Sequence, residues 1–363
     1  MQHQSFSFSQ TAWRRLKKNK GSMIGLVIIL FAITVGIFAY FIATDSTPNA
    51  DRQIVEIQAK KPGYKQLFIK RKKEKNIANT SFFTRLLYGT EDKYILIPIN
   101  SYQQNGDSVI IQKFIDDGVE ERISVPISKV YSKNYITSKT FWLGTDRFGR
   151  DILSRITVGV RVSLAVGLIT VLISLTIGVI LGSLAGYFRG RTDNIIMWLI
   201  NVIWSIPTLL LVFGITLALG KGFWQIFIAV GLTMWVSVAR LIRGQVIALR
   251  EMEYIQAAKA LGIKDIRIIV RHILPNVLGP VIVIAASNFA TSIIVEAGLS
   301  FLGVGVQPPQ PSWGLMIKEN YNFIITHNPM LALAPGIAIM ILVLAFNLLG
   351  NGLRDALDVR GKI

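Results

Sequence analysis

Glu253-Tyr-Ile-Gln-Ala-Ala-Lys-Ala-Leu-Gly262, continued as Ile263-Lys-Asp-Ile-Arg-Ile-Ile-Val-Arg-His-Ile-Leu-Pro275, is a polar interruption in a chain that is mostly apolar from residue 160 onward. Met252, Ile255, Ala258 and Leu261 recur at three-residue spacing, which predicts a short amphipathic helix with those four on one face. Glu251, Glu253 and Lys259 stay off that face. Gly262 predicts the helix end, because glycine takes the left-handed cap conformation without steric cost. A second short helix is expected next, with Ile266, Ile269, Val270 and Ile273 on one side and Arg267 and Arg271 four residues apart on another. Pro275 is expected to stop or kink it. Two helices across a glycine, set between apolar runs, read as a compact knob on which a soluble partner docks.

The apolar runs decide the class. Hydrophobic residues make up 52 % of the 363 and charged residues 17 %, where a soluble domain carries about a quarter charged. A formal net charge of +18 raises nucleic acid as a partner, but the basic residues cluster beside apolar spans, which favours the bilayer. With no cysteine, a disulfide framework and a thiolate centre are excluded, and three histidines speak against a multi-histidine metal cluster. The expected fold is an all-α polytopic membrane protein of six transmembrane helices, with a β-rich extracytoplasmic insert between spans 1 and 2.

Residues 1–21 are basic and are expected to be a cytoplasmic N-terminal segment. Residues 22–43 carry no charge and are long enough to cross a ~30 Å hydrocarbon core. The transmembrane domain is expected over 161–350, with the knob inside a cytoplasmic loop 243–275 and a cytoplasmic tail at 351–363. Its spans are expected near 163–187, 194–219, 223–242, 276–296 and 330–349. Gly178, Gly182 and Gly186 form a four-residue ladder that lets helix backbones approach closely in lipid. Ser205-Ile-Pro207 is expected to bend the third span. Asn288, Ser292 and Glu296 share a face of the fifth, which suits helix-to-helix hydrogen bonding or the lining of a polar path. Six spans put both termini on one side, and the basic N-terminus and basic knob place that side in the cytoplasm.

Residues 44–160 cannot cross a bilayer. Tyr94–Ile99, Ser108–Phe114 and Arg122–Ile127 read as strands, with turns at Asn105-Gly106-Asp107 and Asp116-Asp117-Gly118. Lys70 to Lys75 is a basic run within this insert. The insert reads as a solvated spacer or as a surface for a binding protein. In Phe141-Trp-Leu-Gly-Thr-Asp-Arg-Phe-Gly-Arg-Asp-Ile-Leu-Ser-Arg155 the glycines permit tight turns. Asp146, Arg147, Arg150 and Asp151 are expected to pair at the outer surface, where such pairs contribute about 0–1 kcal/mol. Gly298 to Gly314 is expected to fold back at the outer face with Trp313 at the interface.

The run Gln256-Ala257-Ala258, then Gly262, then Leu274-Pro275 resembles the cytoplasmic "EAA" loop of ABC importer permeases. The 141–155 segment and the 298–314 stretch resemble the dipeptide/oligopeptide/nickel branch, C-type subunit. Gln256 stands where that pattern has Glu, and His272 where it has Ile. The resemblance covers Ser22–Ala43 and Phe141–Arg360 and leaves the insert aside. It implies a MetI-like permease in the bacterial inner membrane. It also implies a second, homologous permease, two ABC ATPase subunits that bind ATP and Mg²⁺, and an extracytoplasmic solute-binding protein. The coupling residues so implied are Met252, Glu253, Tyr254, Ile255, Gln256, Ala257, Ala258, Leu261, Gly262, Arg271 and Pro275. Peptides are the solute implied, with nickel or another small solute as the alternative in the same branch.

No catalytic motif is present. Gly220-Lys221 is followed by Gly222 rather than a hydroxyl residue, so there is no phosphate loop, and no cofactor is expected on this chain. A channel or a membrane anchor is the alternative outside the family.

Overall fold

The computed structural model describes residues 8–74, 77–78, 80–131, 134–220, 222–325 and 328–357. Residues 1–7 of the expected N-terminal segment, 358–363 of the expected tail, Lys75 and Lys221 lie outside the described residues. In chain order the helices and strands are α1 (Phe8–Lys18), α2 (Lys20–Ile37), α3 (Ala39–Ile42), β1 (Tyr64–Lys72), α4 (Phe82–Tyr88), β2 (Tyr94–Asn105), β3 (Ser108–Asp116), β4 (Val119–Pro126) and β5 (Ile136–Phe141). They continue with α5 (Ile152–Phe188), α6 (Gly190–Trp204), α7 (Thr208–Leu219), α8 (Phe223–Arg250), α9 (Glu253–Ala260), α10 (Asp265–Ile268), α11 (Leu274–Leu302), α12 (Trp313–Asn320) and α13 (Met330–Leu357). Chain contacts divide these into two units. One holds the residues up to Ala32, Ser163–Gln307 and those from Ile339 on; the other holds Ile33–Val162 and Pro308–Ala338.

Five helical runs are long and apolar enough to cross a membrane: α2, α5, α8, Asp265–Leu302 and α13. A sixth is added if α6 and α7 count as one span. Those two meet at 92°, so the expected bend at Ser205-Ile-Pro207 is a full break. Pro207 lacks an N–H and its ring excludes a continuous turn, and α7 starts afresh after it. Several helices outrun the apolar stretches that announced them. α8 continues to Arg250, α13 to Leu357, and α5 begins at Ile152. Backbone hydrogen bonding carries a helix past the last apolar residue whenever nothing breaks it.

In the first unit the glycine ladder of α5 lies against α8. A Cβ on Gly178 would stand 2.5 Å from Val238 Cβ, one on Gly182 2.5 Å from Ala239 O, and one on Gly186 2.8 Å from Arg243 O. The two backbones therefore pack at a separation that only hydrogen side chains permit.

The second unit carries a five-stranded antiparallel sheet of order β4-β3-β2-β1-β5. The β2–β3 and β3–β4 hairpins turn at Gly106 and Gly118, both at positive φ. β1 and β5 were not expected as strands. The lysines of Tyr64–Lys72 masked a buried core of Phe68 and Ile69, which alternation sends to opposite faces. Phe68 packs with Ile54, Ile57, Leu96, Phe114 and Phe141, and Ile69 with Ile99, Val109, Ile111, Val125 and Val130. Both faces of the sheet are thus covered.

The Phe141–Arg155 charges do not form surface pairs. Asp146 is 1 % exposed, Arg150 2 % and Arg155 0 %. Arg150 donates to Asp146 Oδ2 at 2.6 Å, to Asp51 Oδ1 at 3.0 Å and to Glu319 Oε2 at 2.7 Å. The Arg155 guanidinium lies 3.5–3.8 Å from the same three carboxylates. Of the four residues expected at the surface only Arg147 is there, half exposed and 3.9 Å from Glu319. Burial works against the charge on Arg150, but Asp146, Glu319 and Asp51 outweigh it and hold its pKa above the ordinary value. Close backbone packing makes the enclosure: Gly149 has φ +71°, and a Cβ there would sit 1.7 Å from Ile54 O. Trp313 is likewise buried rather than interfacial, its indole donating to Ile156 O at 3.1 Å.

Candidate functional site

The knob lies wholly in the first unit. α8 ends at Arg250, Met252 caps the next helix in extended conformation, and α9 follows. Gly262 takes φ +75°. Its N–H donates to Lys259 O at 3.0 Å and the Ile263 N–H to Ala258 O at 3.2 Å, which together close the last turn as a Schellman motif. α10, a π-helical turn at Ile269–Ile273 and α11 then form one continuous run. Pro275 neither stops nor kinks it. The proline sits in the first turn of α11, beside bonds already shifted to i→i+5, so its missing N–H costs little.

Two of the four residues expected on the buried face of α9 are buried. Ile255 and Ala258 pack with Tyr187, Val238, Ile242 and Val246 from α5 and α8, and with Ile268, Ile269, Ile273 and Val277. Met252 and Leu261 are exposed, Leu261 by 80 %. They are the cap residues at either end, where the backbone leaves helical register and the three-residue spacing no longer maps to one face. The second face is corrected in the same way. Ile266 and Val270 are exposed and Ile268 is buried, because the π turn rotates the buried stripe to Ile268, Ile269 and Ile273.

The result is a knob seated by one apolar stripe and showing another. Met252, Tyr254, Leu261, Ile266 and Val270 are exposed together with Glu253, Gln256, Ala257, Arg271 and Pro275. Lys259, Lys264 and Arg267 add positive charge around them. An exposed apolar set rimmed by charge is the usual anatomy of a protein-docking surface. Gln256 Nε2 donates to Arg250 O at 2.8 Å, closing the end of α8 with a bond that a carboxylate could not give.

One contact from outside the motif holds the knob in place, and a second ties α8 to α6. Tyr187 Oη donates to Asp265 Oδ1 at 2.6 Å, which ties the end of α5 to the start of α10. Arg243 grips Asp193 with bonds of 2.5 and 2.7 Å. Neither pair has a local signal. Asp193 stands as the one acid in the basic 188–193 turn, which was a hint, but its partner lies fifty residues on.

Asn288, Ser292 and Glu296 share one face of α11 and are all buried. Ser292 Oγ donates to Phe289 O, and Glu296 Oε1 accepts from Ser300 Oγ at 2.6 Å, both within α11. Asn288 Nδ2 has no hydrogen-bond partner among the described residues. Among those residues no group of three or more metal-ligating side chains is assembled.

Residues 178–362 match the family model of the binding-protein-dependent transport system inner membrane component. Residues 7–62 match the N-terminal TM domain of oligopeptide transport permease C. Over 225 residues the chain is 44 % identical to the glutathione transport system permease protein GsiD of Pectobacterium atrosepticum, covering 62 % of this chain and 74 % of that one. It is 45 % identical over 225 residues to the dipeptide transport system permease protein DppC of Alkalihalophilus pseudofirmus, with the same coverage. It is 42 % identical over 221 residues to the oligopeptide transport system permease protein OppC of Bacillus subtilis, covering 61 % and 72 %. The inward-facing methionine ABC transporter MetNI superposes with a TM-score of 0.47 and 19 % identity, over 57 % of this chain and 97 % of that one. The elbow of two helices across Gly262 lies inside the longer family match, and the chain belongs to the family of binding-protein-dependent transport system inner membrane components.

Proposed function

We propose that this chain is a permease subunit of an ATP-driven importer of peptides, forming one half of a translocation path with a second, homologous permease. The observation that carries the reading is the double-sided knob: Ile255 and Ala258 fix it to the chain's own spans while Met252, Tyr254, Leu261, Ile266 and Val270 stay exposed. Names such as dipeptide and oligopeptide permease among the relatives support peptides as the solute. ATP and Mg²⁺ then belong to two partner ATPases, each holding one permease knob in a surface cleft. The knob side and both termini face the cytoplasm, and the sheet unit faces outward toward a solute-binding protein.

The mechanism is mechanical. Closure of the ATPases moves the knob, and its buried stripe passes the displacement to α5, α8 and α11. Nucleotide and solute can drive this only by binding one state more tightly than the other. Asn288, Ser292 and Glu296 are the polar groups that a path along α11 would use. Leu261→Asp puts a charge on the exposed side and leaves the seat intact. It is expected to abolish peptide-stimulated ATP hydrolysis and uptake in proteoliposomes, with the chain still inserted and folded. Undiminished coupling in that variant would refute the reading. Ala258→Asp discriminates less well, because it unseats the knob from its own spans.

A further inference from the structure

α4 lies in the second unit and outside both family matches. Its sequence, Phe82-Phe-Thr-Arg-Leu-Leu-Tyr88, carries one charge. Phe82, Phe83, Leu87 and Tyr88 are each more than half exposed, and no residue of the helix is buried. A helix of seven residues has little stability of its own in water, where helices persist by packing an apolar face. Here the apolar face points away from the protein. An exposed apolar set of this kind marks a surface that another body covers, protein or lipid.

Two observations decide between them. The first is continuity with the first span. Ile37 at the end of α2, Phe38 beyond it and Ile42 in α3 are exposed as well. Aromatic rings then pass to α4 without a gap. Phe38 and Phe41 have centroids 6.5 Å apart, Phe41 and Phe82 5.3 Å, and Phe82 and Phe83 5.7 Å. α2 has the length and composition that lipid chains surround, and what surrounds its end reaches α4.

The second observation is how α4 ends. A helix leaves its last four carbonyls unpaired, and the chain answers three of them here. Gly89 N–H donates to Arg85 O at 3.0 Å, and Arg161 Nη1 donates to Leu86 O and Leu87 O at 3.1 Å each. Arg85, the one charge of the helix, is folded back over Phe41, 4.5 Å from the ring centroid. A helix end capped by protein in this way has little need of water, which is what a lipid setting demands.

We propose that α4 is an interfacial helix. Phe82, Phe83, Leu87 and Tyr88 sit among lipid chains beside the end of α2 and fasten the sheet-bearing unit to the bilayer by more than its spans. Tyr88 supplies the amphipathic ring common at the lipid–water boundary. The assignment rests on α2 crossing the membrane and is independent of the solute carried.

The chain has no cysteine, so a nitroxide can be placed at one position at a time. The test labels the full chain at Phe83→Cys, Leu87→Cys, Val27→Cys or Val119→Cys and reconstitutes it in liposomes of phosphatidylethanolamine and phosphatidylglycerol. All four side chains are exposed, so the labels spare the packing. Power saturation compares relaxation by oxygen, which concentrates among lipid chains, with relaxation by a water-soluble nickel chelate. Position 27, on α2, reports lipid, and position 119, at the start of β4, reports water. The label at position 83 is expected to match that at 27, with strong relaxation by oxygen and loss of relaxation by the chelate. Position 87, one turn on, is expected to repeat the pattern. Chelate access at 83 equal to that at 119 would overturn the assignment. A label at 83 shielded from both oxygen and chelate would overturn it too, because protein then covers the helix. Chelate access at 27 removes the span and the assignment together. Failed peptide uptake by the whole complex, with position 83 in lipid, sinks the transport reading alone.

Discussion

The elbow at 251–275 and the turn at 141–155 are both charged stretches beside long apolar helices, and they dispose of charge in opposite ways. The elbow keeps its charges in solvent, hides Ile255 and Ala258, and leaves Leu261 exposed. The turn hides Asp146 and Arg150 and leaves Trp142 exposed. The difference comes from distant partners. Arg150 meets Asp51 across 99 residues of chain and Glu319 across 169. Among the described residues the charges of the elbow find no such set and stay wet. Burial of the turn makes it a structural clasp, and exposure of the elbow makes it available to another protein. The same composition therefore carries two different energetic meanings, and mutation separates them.

The largest effect falls on the clasp. Arg150→Ala leaves Asp146, Asp51 and Glu319 with only the more distant Arg155 guanidinium at 3.5–3.8 Å, and removing one partner from a buried ionic set costs about 3–5 kcal/mol. The detergent-solubilised variant is expected to lose most of its melting transition and to become sensitive to trypsin around 141–155. Arg271→Ala in the elbow is expected to stay within about 0.5 kcal/mol of the parent. Similar melting of the two variants would erase the contrast.

Next comes the packing beneath the elbow. Gly182→Leu places a side chain where even a Cβ would be 2.5 Å from Ala239 O, so α5 and α8 must separate. Overpacking of this kind costs about 1–3 kcal/mol, read as a lower melting temperature. Gly262→Ala is smaller. An added Cβ meets nothing within 4 Å, so the cost is conformational, about 1–2 kcal/mol for a non-glycine residue at φ +75°. It is expected to fray α9 and weaken ATPase coupling more than it lowers global stability, with hydrogen exchange of the 253–262 amides as the measurement.

Charge near the sheet gives a pH signature of its own. Lys139 has its pKa lowered to about 8 from an ordinary 10.5. Between those values the unfolded chain holds the proton and the folded chain does not, so stability rises with pH over about 8 to 10.5. Solvent screening limits the gain to the order of 1 kcal/mol. Lys139→Met is expected to flatten that rise in a melting series. A rise that persists in the variant would place its source elsewhere.

What the sequence shows of all this is what is local. A helix, a glycine and a second helix follow from three-residue spacing and one permissive residue, and the ladder of α5 follows from three glycines. Two of the three kinds of error lie at positions where local rules lapse. Met252 and Leu261 are caps, and the π turn at Ile269–Ile273 moves the buried stripe from Ile266 to Ile268. The third kind is long-range. Pairing of Arg150 with Asp51 and Glu319, of Arg243 with Asp193, and of β1 with β2 and β5 depends on chain closure over tens to hundreds of residues. No pattern in a short window carries that.

The smallest effect is at Gln256, and it bears on how far the elbow keeps to the family pattern. Its amide donates to Arg250 O, so it closes α8 from within α9. Gln256→Glu restores the residue of the pattern but replaces the donor with a carboxylate facing a carbonyl oxygen. One hydrogen bond is lost, about 0.5–1.5 kcal/mol, and the exposed setting lets water repair part of it. The variant is expected to melt within about 1 kcal/mol of the parent while the Arg250 to Glu253 amides exchange faster. If those amides are instead protected more strongly, the carboxylate has found a donor in the elbow and the glutamine is no structural adaptation. If coupling to the ATPases rises as well, the position acts on the partner rather than on the end of α8.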